Sequence, residues 1–90
     1  MQDPAPLLRR RILDIRSKTA FQKNNIIGSI NIPMKDLLSR YFELDLGASY
    51  TVICDHGVNS ITACEFLCSK GFDVLSFPGG IASLTKEIHA

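Results

Sequence analysis

Net charge is nearly absent from this chain: ten Lys and Arg stand against nine Asp and Glu, a formal +1 with the histidines neutral. A nucleic-acid binder carries a broad basic face to neutralise phosphates, so that class and that partner are set aside. Arg9, Arg10 and Arg11 form one basic cluster, which beside the prolines of the lead-in reads as a solvated approach to a strand. Long apolar runs are also missing. The opening MQDPAPLL has no hydrophobic stretch behind a basic start, so neither a signal peptide nor a membrane partner is expected and the domain is assigned to the cytoplasm. Cysteine is scarce as well: Cys54, Cys64 and Cys68 are odd in number and too sparse for a secreted disulfide framework. They contain no CxxC pair, so no structural zinc site is expected, and reduced thiols are the default. Repeats and low-complexity segments are absent.

What remains is ordinary globular composition, 46% hydrophobic and 21% charged over 90 residues. That length predicts one domain over residues 1–90, with 1–10 as a lead-in. RILDI, residues 11–15, reads as a short strand, and Ser17 can cap a helix over about Lys18 to Asn24. Ile26 to Ile32 is interrupted by Gly28 and closed by Pro33, so its second half reads as a strand. Met34, Leu37, Leu38, Tyr41 and Phe42 recur at helical spacing and predict an amphipathic helix over 34–43. A strand from Tyr50 to Cys54 follows. Ile61, Cys64, Leu67 and Cys68 then share one helical face, which predicts a helix from near Ser60 with small core cysteines and a stop at Gly71. Asp73 to Phe77 is the last strand, and a short helix is expected from about Ile81 to Ile88. Short apolar strands alternating with helices predict an α/β fold: an open, mainly parallel sheet of about four to five strands with helices on both faces.

In such a sheet, sites lie beyond the carboxyl ends of the strands, and Cys54 falls at one. The next few residues, Asp55, His56, Gly57, Val58 and Asn59, must curl tightly before a helix begins near Ser60. A curl of that kind turns backbone N–H groups inward as an anion nest, and the helix start adds its own free N–H groups. Gly57 permits a positive φ or a close backbone approach. The expected picture is an accessible nucleophilic sulfur, biased toward thiolate, in an anion cradle. The plainer reading is a buried strand-end cysteine; the short loop, Gly57 and the helix directly after it favour the nucleophile. His56 reads equally as a donor to a substrate anion or as an exposed side chain. Asp55 opposes the thiolate and repels anionic donors unless it points to solvent.

The stretches ILDIRS, FQKNNIIGSINIP, VICDHGVNS and GFDVLSFPGGIASL, from about Ile12 to Leu84, together resemble a single-domain rhodanese of the sulfurtransferase superfamily, with four motifs in the family's order. The resemblance implies that Cys54 is the catalytic sulfur acceptor, cycling through a persulfide. It implies that the backbone of Asp55, His56, Gly57, Val58, Asn59 and Ser60 holds that persulfide, and that Asp14 and Arg16 brace the fold beside the site. The implied activity is thiosulfate or persulfide sulfurtransfer without cofactor or metal, from a small sulfane-sulfur donor to cyanide, a thiol or a protein thiol. The chain departs from the family at Asn24 to Ser29, where a Gly-His-Ile-Pro-Gly-Ala segment is common, and at Leu84, where tryptophan is common. It also departs at Asn59, where many members carry arginine, and the preceding strand and helix are shortened. Loss of that arginine weakens attraction for a dianion such as thiosulfate. These departures keep a weakly active or non-enzymatic binding module as the alternative. A phosphatase or arsenate reductase would place arginine six residues after the cysteine, where this chain has Ser60.

Overall fold

The computed structural model describes residues 5–55, 58–83 and 88–89. The elements run α1 (Ala5–Leu8), β1 (Arg11–Asp14), α2 (Lys18–Lys23), β2 (Asn25–Ile26), β3 (Ile30–Asn31), α3 (Leu37–Arg40), β4 (Ser49–Ile53), α4 (Val58–Ser69), β5 (Asp73–Ser76) and β6 (Ile88–His89). Strands β3, β1, β4 and β5 lie in that order in one sheet, every pairing parallel. The expected α/β sheet is therefore present with four strands. A separate antiparallel pair joins β2 to β6.

Alternation along the strands divides the core into two layers. Leu13, Tyr50, Val52 and Val74 face a large cluster closed by Leu37 and by Ala63 and Leu67 of α4. Ile12 and Ile53 face the other way, against Phe77, Ile81 and the partly buried Leu7 and Leu8 around α1. Helices thus cover both faces, unequally: Leu75 on β5 remains 48% exposed. Tyr50 is fully buried, and its hydroxyl is satisfied by the N–H of Asp45 at 2.9 Å.

Local signals explain most boundaries. The Ser17 hydroxyl accepts from the N–H of Ala20 and starts α2, while Gly71, at φ +93°, ends the turn after α4 in a conformation that side chains resist. Four expectations are corrected. Segment 34–43 is not one helix but α3 flanked by single 3₁₀ turns at Met34–Asp36 and Tyr41–Glu43. Of residues 81–88, the described ones form a 3₁₀ turn at Ile81–Ser83 and, at Ile88, the start of β6, while 84–87 lie outside the described residues. Arg10 is not a solvated lead-in: its Nε donates to the Tyr50 carbonyl at 3.1 Å and it pairs with Asp73 at 2.9 Å, tying the lead-in to β4 and β5. The buried line of α4 is Ser60, Ala63 and Leu67, whereas Ile61 is 56% exposed and Cys68 is exposed. The reason is that a polar residue, Ser60, occupies the core side because its hydroxyl finds a partner there, which hydrophobic periodicity does not register.

Among the described residues no helix is long and apolar enough to cross a membrane. The corrected face of α4 gives a direct expectation for urea unfolding. Leu67→Ala should lower stability by about 2–5 kcal/mol, the cost of a core cavity, and Ile61→Ala by under about 0.5 kcal/mol, as for a surface site. Equal losses at the two positions would contradict this packing.

Candidate active site

Four parallel strands bring their carboxyl ends to one edge of the sheet, and the site is assembled there. Strand β4 stops at Ile53, so Cys54 is the first residue beyond it and not the last within it. Helix α4 begins at Val58, two residues before the expected start, which places Val58 and Asn59 in its first turn. The N–H of Ser60 donates to the Cys54 Sγ at 3.4 Å. An N–H of the first helical turn thus points at the sulfur, in the direction that stabilises developing negative charge.

The hydroxyls of Ser60 and Ser76, which sequence reasoning did not read, meet at this point. Ser60 is fully buried, and its hydroxyl lies 2.5 Å from that of Ser76 at the end of β5. Ser60 is therefore a wall of the sulfur's surroundings; its N–H meets the sulfur while its side chain ties α4 to the neighbouring strand. The turn after β5 does the rest. Ile81 N–H donates to the Cys54 carbonyl at 2.7 Å and Ala82 N–H to the Asp55 carbonyl at 3.2 Å. Gly80, at φ +65°, lies so close beneath that a Cβ there would sit 2.6 Å from the Asp55 carbonyl carbon. The sequence signal was the Gly79-Gly80 pair itself; the partner it presses against is distant in the chain.

Cys54 is only 4% exposed and packs in the larger core cluster, which corrects the expectation of an accessible sulfur. It shares that cluster with Leu13 and Ile15 from the β1 segment and with Ala63 and Leu67 of α4. Asp55 and Asn59 are exposed and line an open cleft of about 840 Å³, together with Lys18 of α2, Met34 and Lys35. His56 and Gly57 lie outside the described residues, as does the side chain of Val58.

Asp14 and Arg16 sit at the end of β1, both buried. The Arg16 guanidinium meets the Asp14 carboxylate at 2.8 Å and also donates to the Asn24 side chain at 3.0 Å and the Asn24 carbonyl at 2.6 Å. Arg16 lines the cleft, yet its donors are committed to this network, so it sets the position of α2. Asn31 reinforces the same corner by donating to the carbonyls of Asp14 and Arg16. Of the remaining cysteines, Cys64 has its thiol pushed up to about 11, chiefly by burial and then by nearby Cys68. It stays protonated at neutral pH and is a poor nucleophile. Among the described residues no cluster of His, Cys, Asp and Glu could hold a metal.

Residues 1–87 match the family model described as a rhodanese-like domain. The chain belongs to the rhodanese-like domain family. It is 34% identical over 74 residues to the thiosulfate sulfurtransferase GlpE of Shewanella oneidensis, an alignment covering 81% of this chain and 73% of that protein. It is 33% identical over 77 residues to a tRNA sulfurtransferase of Thermoplasma acidophilum, covering 86% of this chain but 15% of that protein. Among solved structures, a rhodanese-related protein from Thermoplasma volcanium superposes with a TM-score of 0.86 at 34% identity, over 94% of this chain and 86% of that one.

For this rhodanese-like domain, the turn at Gly80 leaves no room for an added carbon against the backbone of Cys54 and Asp55. Gly80→Ala should cost about 2 kcal/mol or more, from the left-handed φ and the contact with Asp55, and should slow alkylation or sulfur loading at Cys54. Thermal unfolding and thiol-labelling rates check it; wild-type values in both would show that the turn does not constrain the loop.

Proposed function

We propose that this domain is a sulfurtransferase that carries a sulfane sulfur on Cys54. The observation that carries the reading is the Ser60 N–H aimed at the Cys54 Sγ from the first turn of α4, at the carboxyl end of a parallel strand. Kinship with proteins named as sulfurtransferases supports it.

The donor is thiosulfate or a persulfide. With thiosulfate, the Cys54 thiolate attacks the outer sulfur, the S–S bond breaks and sulfite leaves with its electron pair; Cys54 retains the transferred sulfur as a persulfide. The terminal sulfur then carries the negative charge, one bond further from the sheet. Backbone N–H groups are suited to hold it, because they are fixed by β4 and α4 and need no reorganisation when charge moves. A thiol, a protein thiol or cyanide attacks the terminal sulfur in the second half-reaction and returns Cys54 as thiolate. Asp14 and Arg16 take no part in bond making; they hold the cleft wall. Asp55, beside the nucleophile, disfavours a small dianion and favours donors of lower charge density.

Intact-protein mass spectrometry after exposure to thiosulfate, polysulfide or glutathione persulfide tests the reading. Wild type should gain the mass of one sulfur, Cys54→Ser none, and Cys64→Ser and Cys68→Ser should behave as wild type. A wild type left unmodified by every donor would sink the enzymatic reading and leave a binding module.

A further inference from the structure

Ser76 has no part in the chemistry proposed for Cys54, yet it stands at the level of the sulfur. It is the last residue of β5, and the parallel register sets it beside Val52 of β4, two residues before Cys54. Its hydroxyl lies 2.5 Å from that of Ser60, which is fully buried in the first turn of α4. Ser60 also sends its backbone N–H to the Cys54 Sγ at 3.4 Å. One residue thus meets the sulfur through its main chain and the neighbouring strand through its side chain.

Two kinds of contact hold α4 against the sheet. Ala63 and Leu67 are fully buried in the larger core cluster, but apolar contact is non-directional and leaves small slides and rotations of a helix open. A hydroxyl pair at 2.5 Å is at the short end of its range and tolerates little change in distance or angle. Reactive groups need placement to within about 0.5 Å, which the second kind of contact supplies. It also acts at the residue that meets the sulfur, whereas Ala63 and Leu67 lie further along the helix. We propose that Ser76 is a positioning residue for Cys54: through its hydroxyl bond to Ser60 it fixes the first turn of α4 and keeps the Ser60 N–H aimed at the sulfur. The role deepens the sulfur-carrier reading of Cys54 and rests on it for its purpose. Because Ser60 is fully buried, solvent water does not stand in for the Ser76 oxygen.

The test compares Ser76→Thr with Ser76→Val in a protein carrying Cys64→Ser and Cys68→Ser, where Cys54 is the one thiol left. The two side chains have the same branched shape and suit a strand equally, and only threonine keeps the hydroxyl. Alkylation of Cys54 by iodoacetamide is followed against pH by intact-protein mass. Ser76→Thr should reproduce the parent profile, whereas Ser76→Val should move its midpoint up by about half a unit to one unit, the weight of one neutral hydrogen bond. Below that midpoint the labelling rate should fall roughly three- to tenfold. Ser60→Ala, which keeps the backbone N–H, should shift the profile likewise, and adding Ser76→Val to it should change nothing more. Coincident Thr and Val profiles, a Val shift undiminished in the Ser60→Ala background, or a Val protein that fails to fold while the Thr protein folds would each overturn the positioning role. Alkylation needs no sulfane sulfur, so these outcomes are separate from a wild type that takes up no sulfur mass, which counts against the carrier reading.

Discussion

The site depends on two backbone hydrogen bonds: from Ile81 N–H to the Cys54 carbonyl and from Ala82 N–H to the Asp55 carbonyl. A chain leaving a central parallel strand would otherwise have carbonyls with no ladder partner at the point where it must turn sharply. Capturing them from the turn after β5 fixes the direction of the chain past Cys54. With that direction set, α4 can begin within a few residues and present a first-turn N–H to the sulfur. Gly80 is the condition for the capture, because a side chain there would meet the Asp55 backbone. The same turn carries Phe77 and Ile81 into the smaller core layer, so loop geometry and packing are secured by one segment.

The opposite side of the site is held by charge. Asp14 and Arg16 form a buried ion pair whose desolvation cost is large and is offset only because nearly every donor and acceptor is used. Its spatial effect is specific: Asn24 at the end of α2 is pinned to the end of β1, which places Lys18 on the wall of the cleft. A cation buried in a structural network and an exposed cation thus line the same space.

Much of this was legible in the sequence, and the misses share a cause. β-Branched runs around Ile12, Ile30, Val52 and Val74 marked the four parallel strands, and Ser17 and Gly71 marked helix ends, because these are local effects. Cys54 stood out because strand, loop and helix start follow one another there. Ser60 was read through its backbone N–H alone, and Ile61 was misread as core, since the hydroxyl partner that makes Ser60 a good buried residue belongs to Ser76, sixteen residues away. The segment 34–43 had the right apolar spacing for a helix but breaks into α3 and two 3₁₀ turns. Lys18 and Lys35 carry no local mark at all; only the fold puts them on one cleft. Burial of Cys54 was likewise a property of a core cluster drawn from several elements.

The central claim is that a rigid backbone at the carboxyl end of β4 holds the transferred sulfur. A crystal structure of the protein after loading with a sulfane-sulfur donor tests it most directly. The account predicts one added sulfur bonded to Cys54 Sγ, within hydrogen-bond distance of backbone N–H groups of the loop and the first turn of α4. A sulfur found on Cys64 or Cys68, or one on Cys54 turned away from the Ser60 N–H, would contradict it.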